Sequence, residues 1–166
     1  MKLKFYEVDA EYIKYLKENG DNKIPNIDYE KHKKFFCGIV FTINNFNYFA
    51  PVSSYNKKGH TVFLIMDKDK NTNELKAISS LRFSFMFPCP IEYLTQKDFS
   101  KEDYKYQLLL RKELHFCNKN IEKIIKQANE IYKLGLNEST RNKFNICHFK
   151  KLEEKCLEYM HMEKKN

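Results

Sequence analysis

A chain of 166 residues with 42% hydrophobic side chains, 14 Phe and 11 Tyr carries enough apolar material for one domain with a real core, which excludes wholesale disorder. The formal net charge is +8 and comes almost entirely from lysine, since Arg82, Arg111 and Arg141 are the only arginines. AT-rich coding would also produce such lysine richness, but the field exists either way and points to a polyanionic partner.

In chain order, "LKFYEV" alternates and reads as a strand. Asp9 caps a helix through "AEYIKYLKEN", with Ile13 and Leu16 on one face and Gly20 ending it. Residues 21–34 are polar, contain Pro25 and read as a loop ending in "KHKK". "FFCGIVFTI", the dipeptide "NN" and "FNYFAPV" form a hairpin. The loop "SSYNKKGH" follows, then strands over "TVFLIM", "LKAISS" and "FSFMFP", with Pro88 and Pro90 closing the block. Five or six short strands in this space predict a small curled sheet or barrel. Ser100 and Asp103 read as a capping box opening "KEDYKYQLLLRKELHFC". A second helix runs through "NIEKIIKQANEIYKLGL" until Gly135 stops it. After "NESTRNK", a third places Ile146, Phe149, Leu152, Cys156, Tyr159 and Met160 on one stripe, which suits core packing. The expectation is a single α+β domain over 1–166, β-rich to about residue 95 and helical over about 98–163.

Five cysteines, an odd number without any CxxC, argue for reduced thiols rather than a disulfide framework or a zinc site. No apolar stretch reaches bilayer length, and "MKLKFYEVDAEY" lacks the apolar centre of a secretion signal, so no membrane association and a cytoplasmic location are expected.

The chain has no Gly-rich phosphate loop, no HExxH and no GxSxG. With only four glycines, a bare backbone cradle for phosphate is not expected, and the scattered acids offer no two-metal cluster. What remains is a set of hydroxyls and lysines. Ser53 and Ser54 directly follow a strand, Lys57 and Lys58 come soon after, Lys33 and Lys34 precede the hairpin, and Tyr12 and Tyr29 lie close in sequence. Such groups suit an RNA phosphate: lysines neutralise charge growing on phosphorus, and hydroxyls donate to non-bridging oxygens. RNA brings its own nucleophile in the 2′-OH, so neither metal nor cofactor is required. Read without further context, the same residues also fit a turn followed by solvated lysines, and His60 fits a loop residue.

Four stretches in order, "FYEVDAEYIKYLKE", "IPNIDYEKHKKFFCGIVF", "NYFAPVSSYNKKGH" and "AISSLRFSFMFPCP", resemble the ToxN/AbiQ family, the toxins of type III toxin–antitoxin systems. The resemblance implies a compact SH3-like (Kid/MazF-like) β-barrel core decorated by helices. It implies a metal-independent endoribonuclease that uses the 2′-OH and leaves a 2′,3′-cyclic phosphate. It also implies an RNA antitoxin: a pseudoknot repeat that the toxin processes, bound in a closed protein–RNA ring, often three of each, with abortive phage infection as the outcome. Cellular and phage RNAs would be the substrates. The family's tyrosine before "IKYL" falls on Tyr12, its hydroxyl pair on Ser53 and Ser54, its lysine before the "FxGIV" strand on Lys34 beside Lys33, and its upstream tyrosine on Tyr29. The family usually has proline and then lysine after the hydroxyl pair. Here Tyr55 and Asn56 stand there, so one inserted residue puts the lysine at Lys57 and the following histidine at His60, with Lys58 as the competing lysine. The implied catalytic set is Ser53, Ser54 and Lys57; the implied RNA-binding set is Tyr12, Tyr29, Lys33, Lys34, Lys58 and His60. Two other functions stand beside this one: a non-catalytic RNA-binding module using the same basic surface, and a helical-barrel scaffold that binds protein.

Overall fold

The computed structural model describes residues 1–25 and 37–165. Strand β1 (Tyr6–Val8) leads into helix α1 (Ala10–Asn19), and β2 (Gly38–Ile43), β3 (Phe46–Ser53), β4 (Val62–Lys68) and β5 (Leu75–Arg82) follow. Two short strands, β6 (Phe87–Pro88) and β7 (Leu94–Gln96), end the β-rich part. Helices α2 (Tyr104–Lys119), α3 (Ile121–Leu136), α4 (Glu138–Lys143) and α5 (Phe149–Lys165) complete the chain.

Local chemistry explains most boundaries. The Asp9 carboxylate accepts from the Glu11 and Tyr12 amides at 2.8 and 3.2 Å, which satisfies two of the open donors at the start of α1. The β2–β3 hairpin closes on Asn44 and Asn45 with φ of 52° and 64°. Those angles are the left-handed pair that a two-residue turn requires, and asparagine tolerates them better than most residues. The turn sets the register from Ile43↔Phe46 to Gly38↔Pro51. Gly38 has a steric reason: an added Cβ would stand 2.4 Å from the Ala50 carbonyl oxygen and 2.6 Å from the Phe49 ring.

All pairings are antiparallel, in the order β4-β5-β3-β2-β1-β7. The expected barrel is corrected to an open sheet: β4 and β7 stand at opposite ends of the order and do not pair. The second edge of β3 is divided. Its early part pairs with β6 through Tyr48↔Pro88 and Phe49↔Phe87, and its end pairs with β5 through Val52↔Leu81 and Ser53↔Ser80. The stretch "FSFMFP" therefore does not form one strand. Residues Phe83–Phe85 make a 3₁₀ turn between β5 and β6. Phe83, Met86 and Phe87 are all buried there, a spacing that a strand cannot place on one face.

Two helical expectations also change, and one helix is unforeseen. Asp103 alone caps α2, accepting from the Tyr106 amide at 2.9 Å, while Ser100 bonds to Asp98 in a separate 3₁₀ turn. Gly135 does not stop α3, which runs on to Leu136. It makes room instead: a Cβ there would lie 2.5 Å from the Phe149 ring. "NESTRNK" is itself helical, capped by Asn137.

The core joins the sheet to the helices through Leu3, Phe5, Tyr48, Phe49, Phe83, Leu110, Ile124, Phe149 and Leu152, all nearly inaccessible. Each such side chain contributes about 1.5–3 kcal/mol relative to exposure. Helix α5 packs on β6 and α1, and α2 covers the edge strand β4. The cysteines are all free and buried, consistent with inert packing thiols, and burial pushes Cys117 up to about 12.

Candidate functional site

Strand β3 delivers the serine pair. Ser53 is its last residue, half-buried, and Ser54 is exposed. The Ser53 Oγ accepts from the Tyr55 amide at 3.1 Å, a local turn that carries the chain off the sheet and fixes the hydroxyl's position. Two recesses meet at these serines. One, of about 230 Å³, is bounded by Pro25, Pro51, Val52, Arg82 and Phe85. The other, of about 50 Å³, is bounded by Cys37, Ile78, Ser79, Tyr106, Leu109 and Glu113.

In the larger recess the cation is Arg82. Its guanidinium carbon lies 4.4 Å from the Tyr55 ring centroid and 4.9 Å from that of Phe85. Its Nε is buried without a hydrogen-bond partner, as is the Ser80 Oγ two residues earlier on β5. Burial lowers the Arg82 pKa, opposed by Tyr55. In the smaller recess, the Ser79 Oγ donates to Glu113 Oε2 at 2.5 Å. Burial raises the Glu113 carboxyl above its ordinary value, and the Ser79 hydrogen bond works against that rise. The recess at Ser53 and Ser54 thus has an arginine on one side and a carboxyl held towards its neutral form on the other.

Lys57, Lys58 and His60 are exposed on the β3–β4 loop. Asn56 ties the near end of this loop to the Ala77 carbonyl at 3.3 Å. At the far end the His60 ring stacks on Phe144 with centroids 4.6 Å apart, and its carbonyl accepts from Gln127 at 3.4 Å. The two lysines lie on the span between those anchors. Two residues separate Ser54 from Lys57, a span of at most about 11 Å, so the lysine stays near the serines.

Tyr12 is placed differently. It is fully buried, its hydroxyl donates to the Pro88 carbonyl at 2.5 Å, and its ring stacks on Tyr93 at 4.9 Å. It lines neither recess at the serines. Its hydroxyl pKa is driven far up, first by burial. Tyr29, Lys33 and Lys34 lie outside the described residues. Arg82, Phe85, Ser79, Ser80 and Glu113 were not singled out as site residues by the sequence reading. The available signal was that Arg82 is one of three arginines in a lysine-rich chain and sits inside "AISSLRFSFMFPCP".

Among the described residues, no three His, Cys, Asp or Glu side chains gather in a way that could hold a metal ion. No helix among them is long and apolar enough to cross a membrane.

The family described as toxin ToxN, type III toxin–antitoxin system, matches residues 4–157. The chain is 31% identical over 168 aligned residues to an endoribonuclease ToxN of Bacillus thuringiensis subsp. kurstaki, covering 94% of this chain and 84% of that protein. It is 30% identical to an endoribonuclease AbiQ of Lactococcus lactis subsp. lactis, with 96% and 90% covered. A solved structure from work on selective toxin inhibition by a non-coding RNA pseudoknot superimposes with a TM-score of 0.80 at 27% identity, covering 96% of this chain and 99% of that one. The structure of AbiQ, a lactococcal anti-phage endoribonuclease, gives a TM-score of 0.77 at 25% identity, with 97% and 99% covered.

Proposed function

The chain belongs to the ToxN family of type III toxin–antitoxin endoribonucleases, and from that premise we propose that the cleft at the end of β3 is where it cuts RNA. The observation that carries this reading is the pair of hydroxyls, Ser53 and Ser54, held at a strand end on the rim of a cleft of about 230 Å³.

Ser53 and Ser54 orient the scissile phosphate by donating to its non-bridging oxygens. The 2′-oxygen attacks phosphorus as its proton leaves to a base. The bond to the 5′-oxygen breaks, that oxygen takes a proton, and a 2′,3′-cyclic phosphate remains. Lys57, with Lys58 as the competing residue, neutralises the charge on the phosphorane or protonates the leaving oxygen. Tyr29, Lys33 and Lys34 hold the nucleotide and backbone. Tyr12 supports the site from within the core through Pro88, and His60, stacked on Phe144, sets the path of the lysine loop. No step calls for a metal or a cofactor.

The partner is an RNA antitoxin, a pseudoknot repeat that the enzyme cuts from its precursor and that then occupies the same cleft. Protein and RNA close into a ring, as often with three of each in this family, in the cytoplasm, and the outcome is abortive phage infection. Solved relatives support this partner: for one a non-coding RNA pseudoknot inhibits the toxin, and for another a processed non-coding RNA regulates an antiviral system. The relation to Kid/MazF-like SH3 sheets is proposed for the β2–β5 unit that carries the site, not for a closed barrel.

The test is cleavage of total bacterial RNA in EDTA by the parent and by Ser53→Ala, Lys57→Ala and Lys58→Ala. Loss of one donor to the reacting phosphate lowers the rate by about 100-fold or more, so Ser53→Ala and one of the two lysine variants should fall that far. Fragments from the parent should end in cyclic phosphate. Parental rates in all three variants would sink the assignment.

A further inference from the structure

We propose that Arg82 is the fixed phosphate-binding cation of this cleft, contacting the non-bridging oxygens of the RNA phosphate seated at Ser53 and Ser54. This rests on the reading of the cleft as the cleavage site.

An arginine that serves only the fold is usually matched by an acceptor. Lys97 shows how this chain treats a buried structural cation: its Nζ lies 2.8 Å from Glu7 and 2.8 Å from Glu102. Arg82 is half-buried, yet among the described residues it has no carboxylate partner and donates no hydrogen bond; its only neighbours of note are two ring faces. A guanidinium has five N–H donors in a rigid plane and cannot relieve its burial by losing a proton. Leaving the buried Nε–H unpaired costs stability that a purely structural residue would not retain.

The location strengthens the case. Only two side-chain polar atoms among the described residues are buried without a partner, Ser80 Oγ and Arg82 Nε. Both belong to β5, two positions apart, so they share a face of the strand. Ser80 is the direct cross-strand partner of Ser53, which puts Ser53 on that same face. The unmet hydrogen-bonding capacity of the molecule is therefore concentrated where the serines meet the cleft.

The geometry suits an anion. Tyr55 and Phe85 set their rings against the guanidinium but accept none of its N–H groups in a hydrogen bond, so the donors stay available for a two-point contact with phosphate oxygens. Arg82 also sits on a strand, whereas Lys57 and Lys58 sit on an exposed loop. A cation fixed before the substrate arrives stabilises developing charge without a cost in reorganisation. The loop lysines then remain available for proton transfer.

The test compares Arg82→Gln, Arg82→Lys and Tyr55→Leu with the parent, with Ser53→Ala run in parallel. Cleavage of total bacterial RNA in EDTA is measured per folded molecule, with folding checked by circular dichroism. Binding of a fluorescein-labelled 2′-O-methyl RNA dodecamer, which lacks the nucleophile, is measured against salt. Arg82→Gln should cut about 100-fold more slowly and lose about 0.7 from the log–log salt slope, one phosphate contact on a single strand. Arg82→Lys should keep the salt slope and still cut about tenfold more slowly, because lysine cannot make the stacked two-point contact. Tyr55→Leu removes an exposed ring and should slow cleavage without changing the melting temperature, which keeps the proposal testable if Arg82→Gln fails to fold. Parental cleavage and a parental slope in the folded Arg82 variants would overturn the proposal. If Ser53→Ala is inactive in that case, the cleft reading survives and only the role of Arg82 falls; if Ser53→Ala is also active, both fall.

Discussion

Near the start of β3, the Tyr48 hydroxyl donates to Glu153 Oε2 at 2.6 Å, the Tyr132 hydroxyl donates to the same oxygen at 2.7 Å, and Asn44 donates to Oε1 at 3.2 Å. Lys150 adds an ion pair to Oε1 at 3.5 Å, so a buried carboxylate is surrounded by donors from the hairpin, α3 and α5. At the other end of the same strand, about 17 Å from Tyr48 at strand rise, Ser53 faces Ser80 with its orphan hydroxyl, and Arg82 carries an unpaired Nε. One end of the strand spends its polar groups on holding helices to the sheet. The other keeps them unspent beside a cleft. Matched polar groups mark the part of this molecule that is architecture, and unmatched ones mark the part proposed to hold an RNA phosphate.

Four substitutions break or sharpen this contrast. The largest effect is expected from Glu153→Ala, which orphans two buried tyrosine hydroxyls and should cost about 3–5 kcal/mol in denaturant unfolding. Cleavage per folded molecule should stay parental; a selective loss of activity would mean that the matched end also serves the site. Tyr48→Phe removes one donor and leaves Glu153 the Tyr132 hydroxyl, so a loss of about 1–2 kcal/mol is expected by the same measurement.

Ser80→Ala should behave in the opposite way. Its hydroxyl has no partner to lose, so stability should be unchanged or higher by about 1 kcal/mol. A loss of similar size would show the hydroxyl to be satisfied and would remove the contrast. The smallest effect is the pH dependence tied to Glu113. Its carboxyl is raised mainly by burial, so the folded chain keeps this proton to higher pH than the unfolded chain. The stability it contributes is full below the ordinary value of 4.5 and is lost as pH rises through the folded value. Glu113→Gln does not ionise, so thermal unfolding should show the parent losing stability relative to the variant over that rise. A constant difference across the pH range would contradict the raised carboxyl.

Local elements were legible because their causes are local. The Asp9 cap, the Asn44–Asn45 turn and the period of α3 and α5 each need only neighbouring residues. Where distant packing decides, the sequence reading erred. Gly135 looked like a stop, but its lack of a side chain serves Phe149, fourteen positions on. "FSFMFP" looked like a strand, but burial of Phe83, Met86 and Phe87 together bends it into a turn. Tyr12 looked like a nucleotide contact, and the structure puts its hydroxyl on the Pro88 carbonyl.

By itself, the sequence determined the four longer helices, the hairpin, the basic field, and the family through ordered motifs around Ser53 and Ser54. These depend on composition, short spacings and turn chemistry. Only the tertiary structure decided that the sheet stays open, that Tyr12 is buried on the Pro88 carbonyl, and that Arg82 and Glu113 border the serines. Those facts arise from cross-strand pairing and helix docking between residues far apart in the chain. A side chain's burial and the partner it lacks are properties of its surroundings, which its neighbours in sequence do not set.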